Sequence, residues 1–481
     1  MKDNQQLHGI CRRFCLVPGV FLLIGLALCM PDDGLAVVPR PGDILVIDWT
    51  ADETDPLVRT VSLEGDTDSL IVTPTVFDRP VGIAWGPMKR IYVADLGREG
   101  FENGGLFLVN PYLGEGADPE RIEYPFFKEV SDIIWDGAGG YYILDRLADP
   151  LAEGYAGAVF HLDLETEIIT MVTTGPYFDS AKQLALEPTG TLLVLDPTGR
   201  LTPEGPREGC IYRIDPDQRT IEPLMALGFM IKPAGMALVD STTLLIADAN
   251  FFAPGMYPGG GAILKVSLES YEVIDTLTVE EFRDPSDLIM MPDGSVVVMD
   301  VSANPTGHTV AEGALLRIDP DSGELLQTFQ SSAFRELSAI ELYDGPDIDD
   351  SRFLVGDPTQ SGVKPGGPLN YAFMLSNAGL SSTGPFTLEI EFDQVACLVG
   401  TATCASGTIG FDPENNILRW TSEIEPQSGD TLCVKARVPD FAEDNQVLEV
   451  TAHLSGEQVE MTKTADMTVN AVTVVCDTVF V

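Results

Sequence analysis

Basic side chains are scarce: 28 lysines and arginines face 74 aspartates and glutamates, for a net charge of −46. A field of that sign repels phosphate backbones and anionic headgroups, which excludes nucleic acid as a partner. Histidine is rarer still, with 4 copies. His8 falls in a leader, while His161 and His453 sit on strand patterns. Only His308, in the loop TGHTVAE, stands where a general base would reach a ligand, and no partner for it is identifiable. No Gly-x-Ser-x-Gly elbow, zinc-spaced Cys/His cluster or phosphate loop occurs. Aromatics are few, at 8%, whereas 46 Gly and 34 Pro punctuate the chain. That balance points to many short strands joined by turns, an all-β design. A hydrophobic content of 44% over 481 residues excludes disorder as the main state and leaves room for about three structural units.

Long apolar runs are also missing, except at the start. Lys2, Arg12 and Arg13 precede the run from Phe14 to Met30, and Gly34-Leu35-Ala36 offers the small residues a signal peptidase accepts. Pro18, Gly19 and Gly25 interrupt the run, which is shorter than the roughly 20 residues of a spanning helix. Residues 1–36 therefore read as a signal peptide cleaved after Ala36, giving a secreted or cell-surface protein with no membrane span in the mature chain. Leu26-Ala27-Leu28-Cys29 has the outline of a lipoprotein box, but Leu28 stands where a small residue is required. The leader carries as many anions as cations, so the acidity belongs to the exported chain and suits a saline or calcium-rich exterior, or simply solubility.

What the chain has in abundance is repetition. Gly-led alternating strands begin at Gly105, Gly157, Gly209, Gly261 and Gly313, each 52 residues after the last. A second series of apolar strands ends at Asp48, Asp95, Asp145, Asp196, Asp248 and Asp300, and a third places Phe77, Phe127, Phe178, Phe229, Phe282 and Phe334 just ahead of an apolar strand. Regularity at this period means blades or an array. Each unit holds four antiparallel strands, one propeller blade, and blades must stack into a closed ring to bury both faces. Closure joins LSAIEL, Leu337 to Leu342, to the three strands ILVID, LVRTVSL and SLIVTP from the other end of the repeat region. The expectation is a six-bladed β-propeller over residues 40–345. FLVGD, ending at Asp357, repeats the second-strand pattern and leaves seven blades as the alternative.

The phrases IYVADLG and PVGIAW resemble NHL repeats and the related senescence-marker-protein/gluconolactonase propellers. The resemblance implies the propeller fold, in a group that includes calcium-dependent lactonases, lyases and pure binding modules. The period ends at an acidic stretch, DGPDIDDS, and residues 346–361 read as an acidic linker. Alternating strands then fill 362–481 at the spacing of an immunoglobulin-like β-sandwich. The order KPGG, YAFMLSNAG and W…PQSGDTL resembles the conserved-repeat Ig-like domains of bacterial surface proteins, which implies a spacer or adhesion unit.

Outside the leader five cysteines remain. Cys397, Cys404, Cys433 and Cys476 lie in the sandwich, where an oxidising exterior allows three pairings; a hairpin favours Cys397 with Cys404, leaving Cys433 with Cys476. Cys210 takes a position held elsewhere by Leu106, Ala158, Ala262 and Ala314, and reads as a buried free thiol.

The strand-ending aspartates are a repeat feature, explained by turn formation, since Asp bonds the backbone two residues on. The repeated Phe reads as a wedge between blades. Positions where the repeats differ carry more information, because packing demands are common to all units and a binding site is not. Five residues after each Phe, allowing one extra residue in the fourth copy, stand Gly82, Asp132, Gln183, Gly235, Asp287 and Ala339, a ring at the mouth of the channel. Two carboxylates there at roughly 6 Å would repel by about 3 kcal/mol at an effective dielectric of about 20. A cation relieves this, and Ca²⁺ bound by Asp132, Asp287 and Gln183 is the candidate metal site; Lys182 is the candidate neutralising cation. Long loops after the second strands gather on the same face, with Phe251, Phe252 and Tyr257 as aromatic platforms. The leading expectation is a non-catalytic recognition protein that binds an extracellular protein, glycan or small molecule on this face. The alternative is a Ca²⁺-dependent lactonase- or lyase-like hydrolase with His308 as base, and a third reading is an inert structural propeller.

Overall fold

The structure, a computed structural model, describes residues 39–469 apart from 49–55, 64–66, 73–75, 87–89, 99–102, 112–117, 155–156, 229, 251–259, 304–312, 332–333, 335, 347, 349–350, 356–362, 393–396, 399–401, 439 and 457. The first described strands alternate or run wholly apolar: Ile44–Asp48, Leu192–Asp196 and Val296–Asp300 are buried at every position. A strand buried on both faces must be covered from both sides. The chain achieves this by repeating one unit, so that each sheet is the cover of the next.

Six four-stranded antiparallel sheets result. Blade 1 combines Leu337–Leu342 with Ile44–Asp48, Leu57–Ser62 and Thr67–Val72, and blade 2 runs from Pro80–Gly86 to Glu120–Ile122. Blade 3 runs from Val130–Trp135 to Ile168–Thr174, and blade 4 from Gln183–Leu186 to Thr220–Ala226. Blade 5 spans Pro233–Asp240 to Val273–Leu277, and blade 6 Pro285–Met290 to Leu325–Phe329. Ring closure is antiparallel pairing of Ile44–Asp48 with Leu337–Leu342, from Ile44 opposite Leu342 to Asp48 opposite Leu337. The protein is thus all-β with a six-bladed propeller.

The apolar clusters straddle blades rather than fill them. Phe77 packs with Leu45 and Ile47 of blade 1 and with Ile83 and Ile91 of blade 2. Phe178 lies between Leu144 and Val159 of blade 3 and Leu184 and Leu192 of blade 4. The last cluster joins Val297, Met299 and Leu315 of blade 6 to Ile44, Val46 and Val61 of blade 1. Phe77, Phe127, Phe178, Phe282 and Phe334 are all buried wedges; Phe229 lies outside the described residues.

After the propeller come two further sheets, one of Arg352–Val355, Pro368–Asn377, Ser428–Arg437 and Cys397–Leu398, the other of Thr408–Asp412, Ile417–Ser422, Phe386–Phe392, Val447–Gly456 and Glu460–Thr468. Burial alternates along Pro368–Asn377 and Val447–Gly456, and the inward side chains share one core around Trp420, Phe373, Phe386 and Leu388. Two expectations need correction. The stretch 346–361 is not a linker throughout: Ile348 is buried in the sandwich core, and Arg352–Val355 pairs with Pro368–Asn377. Phe353 there rests 5.8 Å from Phe373 and 6.2 Å from Tyr371, so the phrase read as a seventh-blade strand belongs to the sandwich.

The cysteine pairing also fails. Cys404 and Cys433 carry free thiols. Backbone register puts Cys397 opposite Arg437 and Thr403 opposite Cys433. Cys397 and Cys404 are therefore separated along the shared neighbour by about 16 Å at roughly 3.3 Å per residue, far beyond disulfide reach. Cys404 packs against the core while Cys433 faces outward. Cys476 lies outside the described residues. Cys210 is fully buried with a free thiol, and burial pushes its pKa up to about 12.

Candidate functional site

An inner strand of a blade has no further strand on its axial side, so alternate N–H groups along it face the channel and need acceptors. Side chains of the preceding blade supply them. Asp132 Oδ2 accepts the Leu184 N–H at 2.7 Å, Gln183 Oε1 accepts the Met236 N–H at 2.5 Å, and Asp287 Oδ2 accepts the Ile340 N–H at 3.1 Å. Each acceptor occupies the ring position marked in the repeats, and each donor is one residue beyond that position in the next blade. Asp287 Oδ1 also takes the N–H of Leu288 at 2.9 Å and the Gln183 Nε2–H at 2.7 Å. This last bond runs from blade 4 to blade 6, past Gly235 of blade 5. Blades 2, 3, 5 and 6 have a register shift here, between Pro80 and Gly82, Val130 and Asp132, Pro233 and Gly235, and Pro285 and Asp287. Such bulges re-aim a side chain. Glycine is required where blades approach: a Cβ on Gly235 would stand 2.7 Å from Asp287 Cα.

The structure therefore brings Asp132, Gln183, Asp287 and Lys182 together, and adds a residue that the sequence reading passed over. Glu341 lies two positions beyond Ala339, where the other inner strands have Ala84, Ile134, Ala185, Ala237 and Ile289. The same comparison of repeats, carried two residues further, would have found it. Burial pushes the Asp132 carboxyl up to about 8, the Leu184 amide opposing and the Asp287 charge adding. Asp287 is pushed up to about 6 by burial, against the amides of Ile340 and Leu288. Glu341 is raised well above its ordinary value by burial, then by Asp344, Asp287 and Asp132. Burial lowers Lys182, which Asp287 partly offsets. Lys182 is nonetheless exposed, and Asp132, Gln183 and Glu341 are half-exposed, so these groups line a narrow open bore walled by protein rather than a dry core.

Calcium takes six to eight oxygen ligands at 2.3–2.6 Å. The ring does not fit that demand. Gln183 turns its donor, Nε2, toward Asp287 and its oxygen away to Met236, and the carboxylate oxygens accept amide hydrogens. Among the described residues no three His, Cys, Asp or Glu side chains converge as metal ligands.

The strand-ending aspartates are fully engaged as well. Asp145 accepts from Lys128 N–H at 2.6 Å, Glu129 N–H at 3.2 Å and Leu147 and Ala148 N–H at 2.9 Å. Asp196 and Asp300 do the same in blades 4 and 6, bonding residues 179 and 180 with 198, and 283 and 284 with 302. These buried carboxylates tie the start of each inner strand to the start of the connection after the second strand, so both emerge at one end of the ring. Lys232 and Asp284 pair at that end at 3.0 Å, and Glu129 bonds Arg146.

His308, Phe251, Phe252 and Tyr257 lie outside the described residues, as does the leader 1–36. No described helix is long and apolar enough to cross a membrane. A concavity of about 650 Å³ opens on the sandwich beside Ser406, Ser422, Glu423 and Asp430. Its polar groups pair with one another: Ser406 Oγ donates to Asp430 at 2.7 Å and lies 2.9 Å from Ser422 Oγ.

No protein-family profile matches the chain, and no curated protein matches it. Among solved structures, a crystal structure of a Lactobacillus plantarum protein is similar at 14% identity and a TM-score of 0.41, covering 63% of this chain and 99% of that one. The strand order of the six sheets and the pairing of Ile44–Asp48 with Leu337–Leu342 define the propeller.

Proposed function

We propose that the protein is an exported, non-catalytic recognition module: an NHL-like propeller that binds an extracellular protein, glycan or small molecule on its loop face, carried on an Ig-like sandwich. The asymmetry of its connections carries the reading. At the channel-mouth end the chain makes long excursions, such as Asp196 to Cys210, Asp248 to Ala262 and Asp300 to Ala314. At the other end it turns tightly, as from Asp163 to Ile168 and Asp215 to Thr220. Long connections on a rigid scaffold are where recognition concentrates. The leader pattern and the acidity of the mature chain support export. A hydrolase at the bore is disfavoured because the ring side chains spend their oxygens on blade-to-blade bonds.

The test is a glycan and extracellular-peptide array probed with the full exported chain and with a Phe251→Ala, Phe252→Ala, Tyr257→Ala variant. Binding to one ligand class that the variant loses, at an unchanged melting temperature, is expected. Binding that survives the three substitutions overturns the assignment of this face.

A further inference from the structure

The two outer faces of the sandwich carry opposite charge. On the sheet of Arg352–Val355, Pro368–Asn377 and Ser428–Arg437, alternate side chains point away from the core, and the outward positions of these strands hold Arg352, Lys435 and Arg437 but no described carboxylate. In a chain with 28 cations against 74 acids, such a face runs against composition. Register sets the cations around an apolar centre. Leu354 lies opposite Ala372 and Ala372 opposite Cys433, with Lys435 and Arg437 on one side of that row and Met374, paired with Arg352, on the other. Leu354 and Met374 are 47% and 45% exposed, so the propeller leaves them uncovered. Arg437 bonds Asp440, beyond the end of its strand, at 2.9 Å.

The other sheet presents the reverse. Its outward positions hold Asp412, Glu389, Glu391, Glu449 and Glu460, and among the described residues Arg419 is the one cation there. Arg419 is engaged by Glu389 at 2.6 Å. Glu391 stands opposite Thr451, which places Glu449 diagonally beside it. Val447, on the same face, is 51% exposed. Exposed apolar side chains ringed by charge are the anatomy of a protein contact. Two basic faces, or two acidic ones, would repel, whereas a basic face against an acidic one pairs its charges. The partner that supplies an acidic sheet face of matching size is another copy of this chain.

We propose that the sandwich joins copies of the chain head to tail, the basic face of one docking on the acidic face of the next. The two faces point in opposite directions, so the contact is heterologous and extends into an open row instead of closing as a pair. At about 4.8 Å between strands and about 3.3 Å per residue, each face offers about 600 Å². That is the size of a transient contact, so micromolar affinity is expected. Salt acts on it in two ways. At about 0.15 M, screening over roughly 8 Å mutes the repulsion between two chains of −46 and spares charges in direct contact; at about 1 M, with a length of roughly 3 Å, those contacts weaken too.

The contact stands apart from recognition on the loops, and its failure leaves that reading intact. The full chain is followed by sedimentation velocity from about 5 to about 200 µM, the range a transient contact requires. Dimers, trimers and longer rows that grow with concentration are expected at about 0.15 M NaCl, and association at least about ten-fold weaker at about 1 M. Arg352→Glu with Lys435→Glu, or Glu391→Lys with Glu449→Lys, leaves a monomer of unchanged melting temperature, and mixing the two variants restores association because each intact face again meets its complement. Single Lys435→Gln and Glu449→Gln, milder changes at exposed positions, each weaken association about five-fold. Cys433, central on the basic face, reacts more slowly with a thiol reagent as rows form. A parent that stays monomeric or stops at a dimer, association that survives either reversal or both single changes, or a mixture that stays monomeric overturns the proposal.

Discussion

Replacing Asp132 by Asn makes the chain less sensitive to alkali. In the folded ring burial pushes this carboxyl up to about 8, while an unfolded aspartate titrates near 3.9. Between those values the folded chain holds a proton that the unfolded chain has lost. Stability therefore falls as pH rises, by up to about 1.4 kcal/mol per pH unit from this one group. Across the whole window that is about 6 kcal/mol, and half-exposure to the bore reduces it by screening to about 2–3 kcal/mol. Asn keeps one oxygen to accept the Leu184 N–H, now held at 2.7 Å, and cannot ionise. Its NH₂ group meets the Ile133 amide, which bonds the carboxyl in the parent, a loss of about 1 kcal/mol at every pH. The variant is thus expected to melt slightly below the parent at pH 5 and about 2–4 °C above it at pH 9. Domain-resolved calorimetry at pH 5, 7 and 9 measures the difference. A difference that stays constant with pH, or that moves in the opposite direction, refutes the assignment of a protonated Asp132.

Other expectations are local. Arg219 has φ 57 in its hairpin turn, where the matching turn of blade 6 uses Gly323 at φ 70; Arg219→Gly should stabilise by about 1 kcal/mol in a denaturant titration. Gly235→Ala puts a Cβ 2.7 Å from Asp287 Cα, so the inner strands must part, with a loss of about 2 kcal/mol or more in the same assay. Asp196→Ala strands the N–H groups of residues 179, 180 and 198, now bonded at 2.7–3.1 Å; a loss of about 2–4 kcal/mol is expected, read as a lower melting temperature. A thiol reagent should label Cys433 in the folded chain and leave the buried Cys210 untouched until unfolding.

The repeats made much of this legible. Three series in fixed order, Phe, Asp and Gly, gave blade count, strand order and the identity of the closing strand, because stacking imposes one set of demands on every copy. Comparing copies also located Asp132, Gln183 and Asp287, since a ring position that varies is free of that common demand. It overlooked Glu341, whose repeat position was not compared. The sandwich was harder to read. Arg352–Val355 has the composition of a propeller strand, and only its pairing with Pro368–Asn377 assigns it.

Side-chain partners were beyond the sequence. Two acids and an amide at the mouth of a channel suggest a cation from composition alone, but whether an oxygen faces a metal or a neighbour's amide depends on where the next blade's backbone lies. Closing the ring set that distance. It brought Leu184, Met236 and Ile340 N–H to the three side chains and left Lys182 without a partner among the described residues. Local pattern specified the blade, because period and burial are encoded residue by residue. The chemistry of the bore came from the meeting of residues some fifty positions apart, which no single repeat contains.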